Sequence, residues 1–302
     1  MTGKRAVLIE WPTLVVLAAT YAAWGGAVFW LSEWSLTAAV LLAGVTVAQQ
    51  ASLQHEALHG HPTAWQWLNA LMVRPSLNLF IPYGRFRDTH LAHHRDANLT
   101  DPYDDPETNF LTQKDWEGQP GWHKAILKLN NTLAGRMLIG PFLGQWAFLR
   151  ADMGEGGTKI ARSWAAHLVG AAGVLWLVFQ SPMPVWAYLV AAYLGVSLLK
   201  IRTFLEHRAH EQCRARSVII EDRGPLALLF LNNNLHAVHH MHPQVSWYDL
   251  PHTYRAQRDR FLACNDRYLY PSYATVFMRH LLWSKDPVAH PLLRREQENL
   301  DA

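Results

Sequence analysis

Cysteine is nearly absent from this chain: Cys213 and Cys264 are the only two in 302 residues, and they stand far apart. That excludes a disulfide framework, a cysteine-ligated zinc site and a fused rubredoxin. Charge of one sign is lacking too. A formal net charge of +3 is too small to argue for nucleic acid as a partner. Internal repeats and low-complexity segments are missing. What the chain has instead is contrast: half of its residues are apolar, yet the mean hydropathy is −0.06, so very apolar stretches must alternate with very polar ones.

Four stretches lack any Lys, Arg, Asp or Glu over nearly the length that a bilayer requires, about 20 residues at ~1.5 Å rise through ~30 Å of hydrocarbon. They are residues 11–31, 35–54, 164–180 and 184–199. They pair into two helical hairpins with short turns, Ser-Glu-Trp at 32–34 and Ser-Pro-Met-Pro at 181–184. Lys4 and Arg5 ahead of the first run imitate the start of a signal peptide, but the run is too long and a partner span follows at once. Residues 65–82 are broken by Arg74-Pro75, and residues 133–149 contain Arg136 and Gly140-Pro141. Both read as interfacial or re-entrant segments.

All 27 Lys and Arg fall on one side of such a four-span arrangement, because neither hairpin turn contains one. The positive-inside rule then puts both termini, residues 55–163 and everything after 200 in the cytoplasm. The expected fold is an all-α membrane protein: four transmembrane helices in two hairpins, interfacial helices, and a helical cytosolic cap over about 83–132 and 203–302. The whole chain, 1–302, reads as one integral-membrane unit.

Histidine is abundant. Twelve of the 17 lie in four short clusters: His55, His59 and His61; His90, His93 and His94; His207 and His210; His236, His239, His240 and His242. At 3.6 residues per turn, positions i, i+3 and i+4 share one helix face. His90, His93 and His94 therefore point one way, as do His236, His239 and His240, and His55 pairs with His59. Gly60 and Pro62 end the helix before His61. The first cluster begins where the second span ends, and the third follows the fourth span. For all four to meet, residues 60–89 cannot cross the membrane once, and 133–149 cannot add a third crossing between 95 and 206.

His55-Glu56-Ala57-Leu58-His59 is a literal match to the H-E-x-x-H zinc-peptidase pattern. A zinc peptidase needs two histidines, one more ligand and the glutamate. This chain offers about nine clustered histidines, which suit two metal ions with four or five imidazoles each. Imidazole ligation leaves zinc, copper, iron and nickel open. A heme takes one or two axial ligands and fits less well. A redox pair that activates O₂ has a task at a membrane, where lipids offer C–H bonds.

The segments HEALH (55–59), HLAHH (90–94) and HAVHH (236–240), in that order between hydrophobic hairpins, resemble the three histidine boxes of the integral-membrane fatty acid desaturase superfamily, which also holds hydroxylases and ketolases. The resemblance spans roughly 50–255. KIRTFLEHR (200–208) resembles the segment that supplies a further histidine, and LNNNLHAVHHMHPQVSWYDLP (231–251) is similar to the last box of bacterial acyl desaturases. It implies a non-heme di-iron centre, O₂ as co-substrate and a lipid or fatty acyl substrate in a bacterial inner membrane. It also implies an external electron donor, such as a ferredoxin, rubredoxin or cytochrome b5-like protein. An arginine-rich cytosolic face suits an acidic donor.

Mapped onto this chain, the resemblance implies His55, His59, His90, His93, His94, His207, His236, His239 and His240 as ligands. Asn232, four residues before His236, matches an asparagine that some members add. His61 and His210 stand outside the match. Metal-bound histidines usually donate their second N–H to a carboxylate or carbonyl. Glu206 and Asp88 are the expected partners, and Asp-Pro-Tyr-Asp-Asp-Pro-Glu (101–107) is either a turn or another source of such carboxylates. Glu56 then becomes a supporting carboxylate. The expected activity is fatty acyl desaturation; hydroxylation, ketolation or alkene-forming decarboxylation by the same centre, and zinc hydrolysis through HEALH, are the alternatives.

Overall fold

The structure, a computed structural model, describes residues 9–95 and 99–292. Lys4 and Arg5 lie outside the described residues.

Among the described residues, four helices are long and apolar enough to cross a membrane: α1 (Trp11–Trp34), α2 (Leu36–Leu58), and, further along the chain, Thr158–Phe179 and Val185–Thr203. The first hairpin turns on one residue. Ser35 is extended, which stops α1, and its hydroxyl accepts from the Ala38 N–H at 3.3 Å to cap α2. After α2 come α3 (Gln66–Val73) and α4 (Tyr83–Arg95), then the short cap helices α5 (Gln113–Glu117) and α6 (Gly121–Asn130). Two more, α7 (Leu133–Leu138) and α8 (Gly140–Glu155), lead to the second hairpin of α9 (Thr158–Phe179) and α10 (Val185–Thr203). Pro184 precedes α10 in the extended conformation that its ring favours, and its carbonyl accepts from Ala187 and Tyr188.

The helices exceed the apolar runs at their polar ends. α2 continues to Leu58, α9 starts at Thr158 rather than 164, and α10 ends at Thr203 rather than 199. Hydropathy marks only the part that lipid selects; the added turns carry Lys159, Arg162, Lys200 and Arg202, whose long side chains can reach polar surroundings. His55 therefore sits on the last turn of α2, within the helix.

The two hairpins meet where α2 crosses α10 at glycines. A methyl group on Gly195 would lie 2.4 Å from Val47 Cγ1 and 2.8 Å from the Gly44 carbonyl oxygen, so only hydrogen fits. The crossing lies about three turns before both His55 and His207, so the same ends of α2 and α10 emerge side by side.

Residues 65–82 do not span. α3 ends at Val73, and the non-helical stretch after it buries Ser76, Leu77 and Asn78 against the bundle. Its carbonyls find partners among the spans. Gln50 Nε2 donates to Val73 and Pro75, Gln54 Nε2 to Val73, Tyr188 OH to Leu77, and His167 Nε2 hydrogen-bonds Leu79. Irregular backbone at this depth is tolerable only when so satisfied. The second broken stretch forms α7 and α8, which expose Leu138, Phe142 and Trp146 along an apolar outer face.

The cap after α10 departs from an all-helical plan in a two-residue parallel pair of β1 (Ile219–Ile220) and β2 (Leu269–Tyr270). Between these strands lie α11 (Pro225–Leu229), α12 (His236–Met241), α13 (Leu250–Ala256) and α14 (Arg258–Cys264), and after them α15 (Tyr273–His280). Ile219, Val238, Leu250, Phe261 and Leu262 form the apolar cluster beneath α12.

Candidate metal centre

Each histidine cluster is held from behind. α2 brings His55 and His59 to the end of the bundle. α4 is clamped by buried Arg85, whose Nε donates to Asp152 Oδ1 at 2.9 Å and whose Nη2 donates to Glu155. α12 is only six residues long, but Val238 is fully buried and the Ala237 N–H donates to the Val218 carbonyl at 3.0 Å. Its apolar face is thereby fixed to the cap and its imidazoles face the bundle.

Nine histidines gather into two adjoining groups. His55, His59, His90, His94 and His239 form one; His93, His207, His236 and His240 form the other; within each group the nearest ring nitrogens lie within 4.8 Å of one another. Neighbouring residues separate. α4 gives His90 and His94 to the group of five and His93 to the group of four, while α12 gives His236 and His240 to the four and His239 to the five. Spacing alone suggested that each trio points one way; the 100° step between consecutive residues instead lets each helix straddle both groups. The His94 and His240 rings, from different groups, stack at 4.2 Å.

Hydrogen bonding fixes the tautomers. His93 Nδ1 donates to Asp105 Oδ1 at 2.8 Å, His90 Nδ1 to Glu107 Oε2 at 3.0 Å, and His236 Nδ1 to Asn233 Oδ1 at 3.1 Å. His207 Nδ1 lies 3.2 Å from Ser217 Oγ. With Nδ1 donating, His90, His93 and His236 turn Nε2 inward toward the other rings. Five Nε2 pairs lie 2.9 to 3.1 Å apart: His93–His207, His90–His94, His207–His236, His94–His239 and His236–His240. His55 Nε2 and His59 Nε2 are buried with no hydrogen-bond partner. Crowded ring nitrogens and orphaned buried ones are what a bound cation would relieve, and the residues fit one in each group.

Electrostatics keep six of the imidazoles neutral, whereas burial would lower His93 but its hydrogen bond to Asp105 raises it. Burial first, and then neighbouring imidazoles, hold His207, His236, His239 and His240 well below the usual histidine range. The same causes hold His59 at about 2 and His94 at about 3. Burial would raise the Glu107 carboxyl, but His90 and His93 draw it down to about 2, so it stays an anion beside the site.

A family model of fatty acid desaturases matches residues 31–272, which include all four histidine clusters. The chain belongs to the fatty acid desaturase family. A comparison with curated proteins gives no match. This desaturase-family chain is thus a membrane lipid oxidoreductase of desaturase or hydroxylase type, with two histidine groups able to hold metal.

Several residues sit elsewhere than expected in this family member. Asp88 bonds Arg87 at 2.9 Å and Lys159 at 2.8 Å, on the flank of α4 away from the imidazoles. Glu206 lies 3.8 Å from His236 Nδ1, because Arg202 holds it at 2.8 Å and Asn233 stands between: Asn233 accepts from His236 and donates to Glu206. Asn232 precedes α12 with a left-handed backbone, φ 56°, and its amide donates to the Trp247 carbonyl. The helix begins at His236, so the one-turn relation expected of Asn232 does not arise. His61 pairs with Glu10 at 2.7 Å, and His210 with Asp266 at 3.3 Å; neither joins a group. Glu56 joins neither group as well; its Oε2 accepts from the Trp247 N–H.

The 101–107 segment is both a turn and a source of carboxylates. Asp101 forms a turn, accepting from the Tyr103 N–H, while Asp105 and Glu107 reach His93 and His90. Asn233 was missed outright. Its only sequence signal is a position three before His236, which looks ordinary in a run of three asparagines.

Proposed function

We propose that the chain is an O₂-dependent di-iron fatty acyl desaturase. The observation that carries this reading is the pair of adjoining all-imidazole groups, five and four, at one end of a four-helix apolar bundle. His55, His59, His90, His94 and His239 would hold one iron, and His93, His207, His236 and His240 the other.

The number of imidazoles bears on the choice of metal. Five and four imidazoles in adjoining groups exceed the three or four protein ligands of a single zinc site, which supports two ions. Glu56, hydrogen-bonded to the Trp247 backbone, also lacks the placement that a zinc peptidase requires of its base.

Bound iron would supply the oxidising power of O₂ to an otherwise inert methylene pair. The balanced reaction is R–CH₂–CH₂–R′ + O₂ + 2e⁻ + 2H⁺ → R–CH=CH–R′ + 2H₂O. The protein's own residues position and insulate. Asp105, Glu107 and Asn233 hold the Nδ1 protons, so the Nε2 atoms face inward as donors and the rings cannot rotate. Burial of His55, His90, His93, His236 and His239 keeps bulk water from the reacting carbon. The two electrons come from a separate donor on the cytoplasmic face, a reading that the positive-inside distribution of Lys and Arg supports.

Expression in a host of defined lipid composition, followed by mass spectrometry of acyl chains and pigments, tests the reading. A new internal double bond that depends on His93 and His239 is the expected product. A hydroxy or keto product, or a terminal alkene, would replace desaturation by the corresponding reaction of the same centre.

A further inference from the structure

A second site lies on the flank of α4, apart from the histidine groups. A cleft of about 250 Å³ runs between α4 and α9 and is lined by Arg74, Arg87, Lys159 and Arg162, with Tyr83 and His167 at its inner wall. Four cations face one carboxylate there, that of Asp88, which Arg87 and Lys159 already occupy. Arg74 and Arg162 have no ion-pair partner among the described residues.

Depth makes Arg74 unusual. Its carbonyl lies 3.9 Å from where a methyl on Gly170 would sit, and Gly170 is well inside α9, which starts at Thr158. An arginine whose backbone lies at this depth in an apolar belt normally pairs or snorkels toward the interface. Here the side chain lines the cleft that rises toward Arg162 and Lys159.

Two buried polar atoms in the lining are also unpartnered. Tyr83 OH and His167 Nδ1 have no hydrogen bond, although Tyr83 is 1% exposed and His167 3%. Such groups are rarely left unsatisfied without a ligand or water. Burial pushes the Tyr83 phenol up to about 12, so it is a hydrogen-bond donor at neutral pH. Apolar side chains close in sequence to the lining residues are exposed: Leu71 three before Arg74, and Leu168 and Val169 directly after His167 on α9.

We infer that this cleft binds the acidic head group of an amphiphile, a carboxylate or a phosphate ester, with Arg74, Arg162 and Tyr83 contacting the anion and the acyl chain lying along α9. Cations at the mouth and apolar surface beyond it match an anionic lipid better than a free ion. This inference is independent of the redox reading.

Equilibrium binding to the full-length, metal-loaded protein in neutral detergent tests it, with radiolabelled oleate, oleyl alcohol, dioleoyl phosphatidylglycerol, dioleoyl phosphatidylcholine and inorganic phosphate as probes. Arg162→Gln, at an exposed position that folding tolerates, should weaken an anionic amphiphile about tenfold. Arg74→Gln/Arg162→Gln should weaken it further, Tyr83→Phe severalfold, and Arg74→Lys/Arg162→Lys should restore most of the affinity. Oleyl alcohol and phosphatidylcholine should not respond. Preference for oleate marks a fatty acid site and preference for phosphatidylglycerol a phospholipid site; either supports the inference. Equal affinity of wild type and Arg162→Gln for both anionic amphiphiles, or inorganic phosphate binding as tightly as they do, would overturn it.

Discussion

His93 and His94 are adjacent in the chain and serve different groups, and so do His239 and His240. What separates them is the helical step, and what orients them is the hydrogen bond behind each ring. Asp105 accepts from His93 within the buried interior. Asp105→Asn is expected to lower iron affinity and turnover ~10- to 100-fold, whereas Asp88→Asn, on the α4 flank, should leave iron content unchanged. Iron titration of the two purified variants checks the contrast. Spacing exposed the histidines because a helix imposes a period on its ligands. It could not single out Asp105 and Glu107 within 101–107, nor find Asn233, because these reach the rings from turns whose path has no period. Asp88 and Glu206 looked better on proximity in sequence, but each had a nearer cation.

His61 shows the other use of a buried imidazole. Burial opposes its charge, but the Glu10 hydrogen bond raises it above the ordinary 6.5; burial likewise opposes the Glu10 charge, but His61 lowers it below 4.5. The His61 contribution is fully present below 6.5 and lost as pH rises through its raised value. The Glu10 contribution is present above 4.5 and lost as pH falls through its lowered value. His61→Gln should therefore cost about 1–3 kcal/mol, most clearly between pH 4.5 and 6.5, with iron content retained. Thermal melts across pH read the difference; a variant without iron would instead make His61 a ligand.

At the level of elements, the Gly44–Gly195 crossing sets where the two hairpins deliver their ends. Gly195→Val would drive side-chain atoms into Val47 and the Gly44 carbonyl. Overpacking of this kind costs ~1–3 kcal/mol, and it should lower both the melting temperature and iron retention. Gly173→Ala, on α9 where a methyl meets nothing within 4 Å, should do neither. The four spans were legible because lipid demands an uninterrupted apolar run, and the broken stretches were legible because Arg74-Pro75 and Gly140-Pro141 cannot continue one. The helix ends were not, since polar turns beyond the lipid extend a helix without adding hydropathy. The β1–β2 pair was also invisible: two residues are too few to show alternation.

Across the whole molecule, two hairpins stand under one cap, and the histidine groups occupy the end opposite the hairpin turns. Cys213 is exposed on the cap, and Glu33 lies in the last turn of α1, next to the first hairpin turn. With the cap in the cytoplasm, a membrane-impermeant maleimide applied to intact spheroplasts should label Glu33→Cys and spare Cys213. The opposite pattern would invert the orientation.

The central claim is a pair of irons held by imidazoles alone. Elemental analysis combined with Mössbauer spectroscopy of the protein purified after ⁵⁷Fe growth addresses it directly. The account predicts close to two irons per chain, high-spin and all-nitrogen/oxygen ligated, with occupancy lost in His93→Ala and His239→Ala. A single zinc per chain, or full iron in those variants, would contradict it.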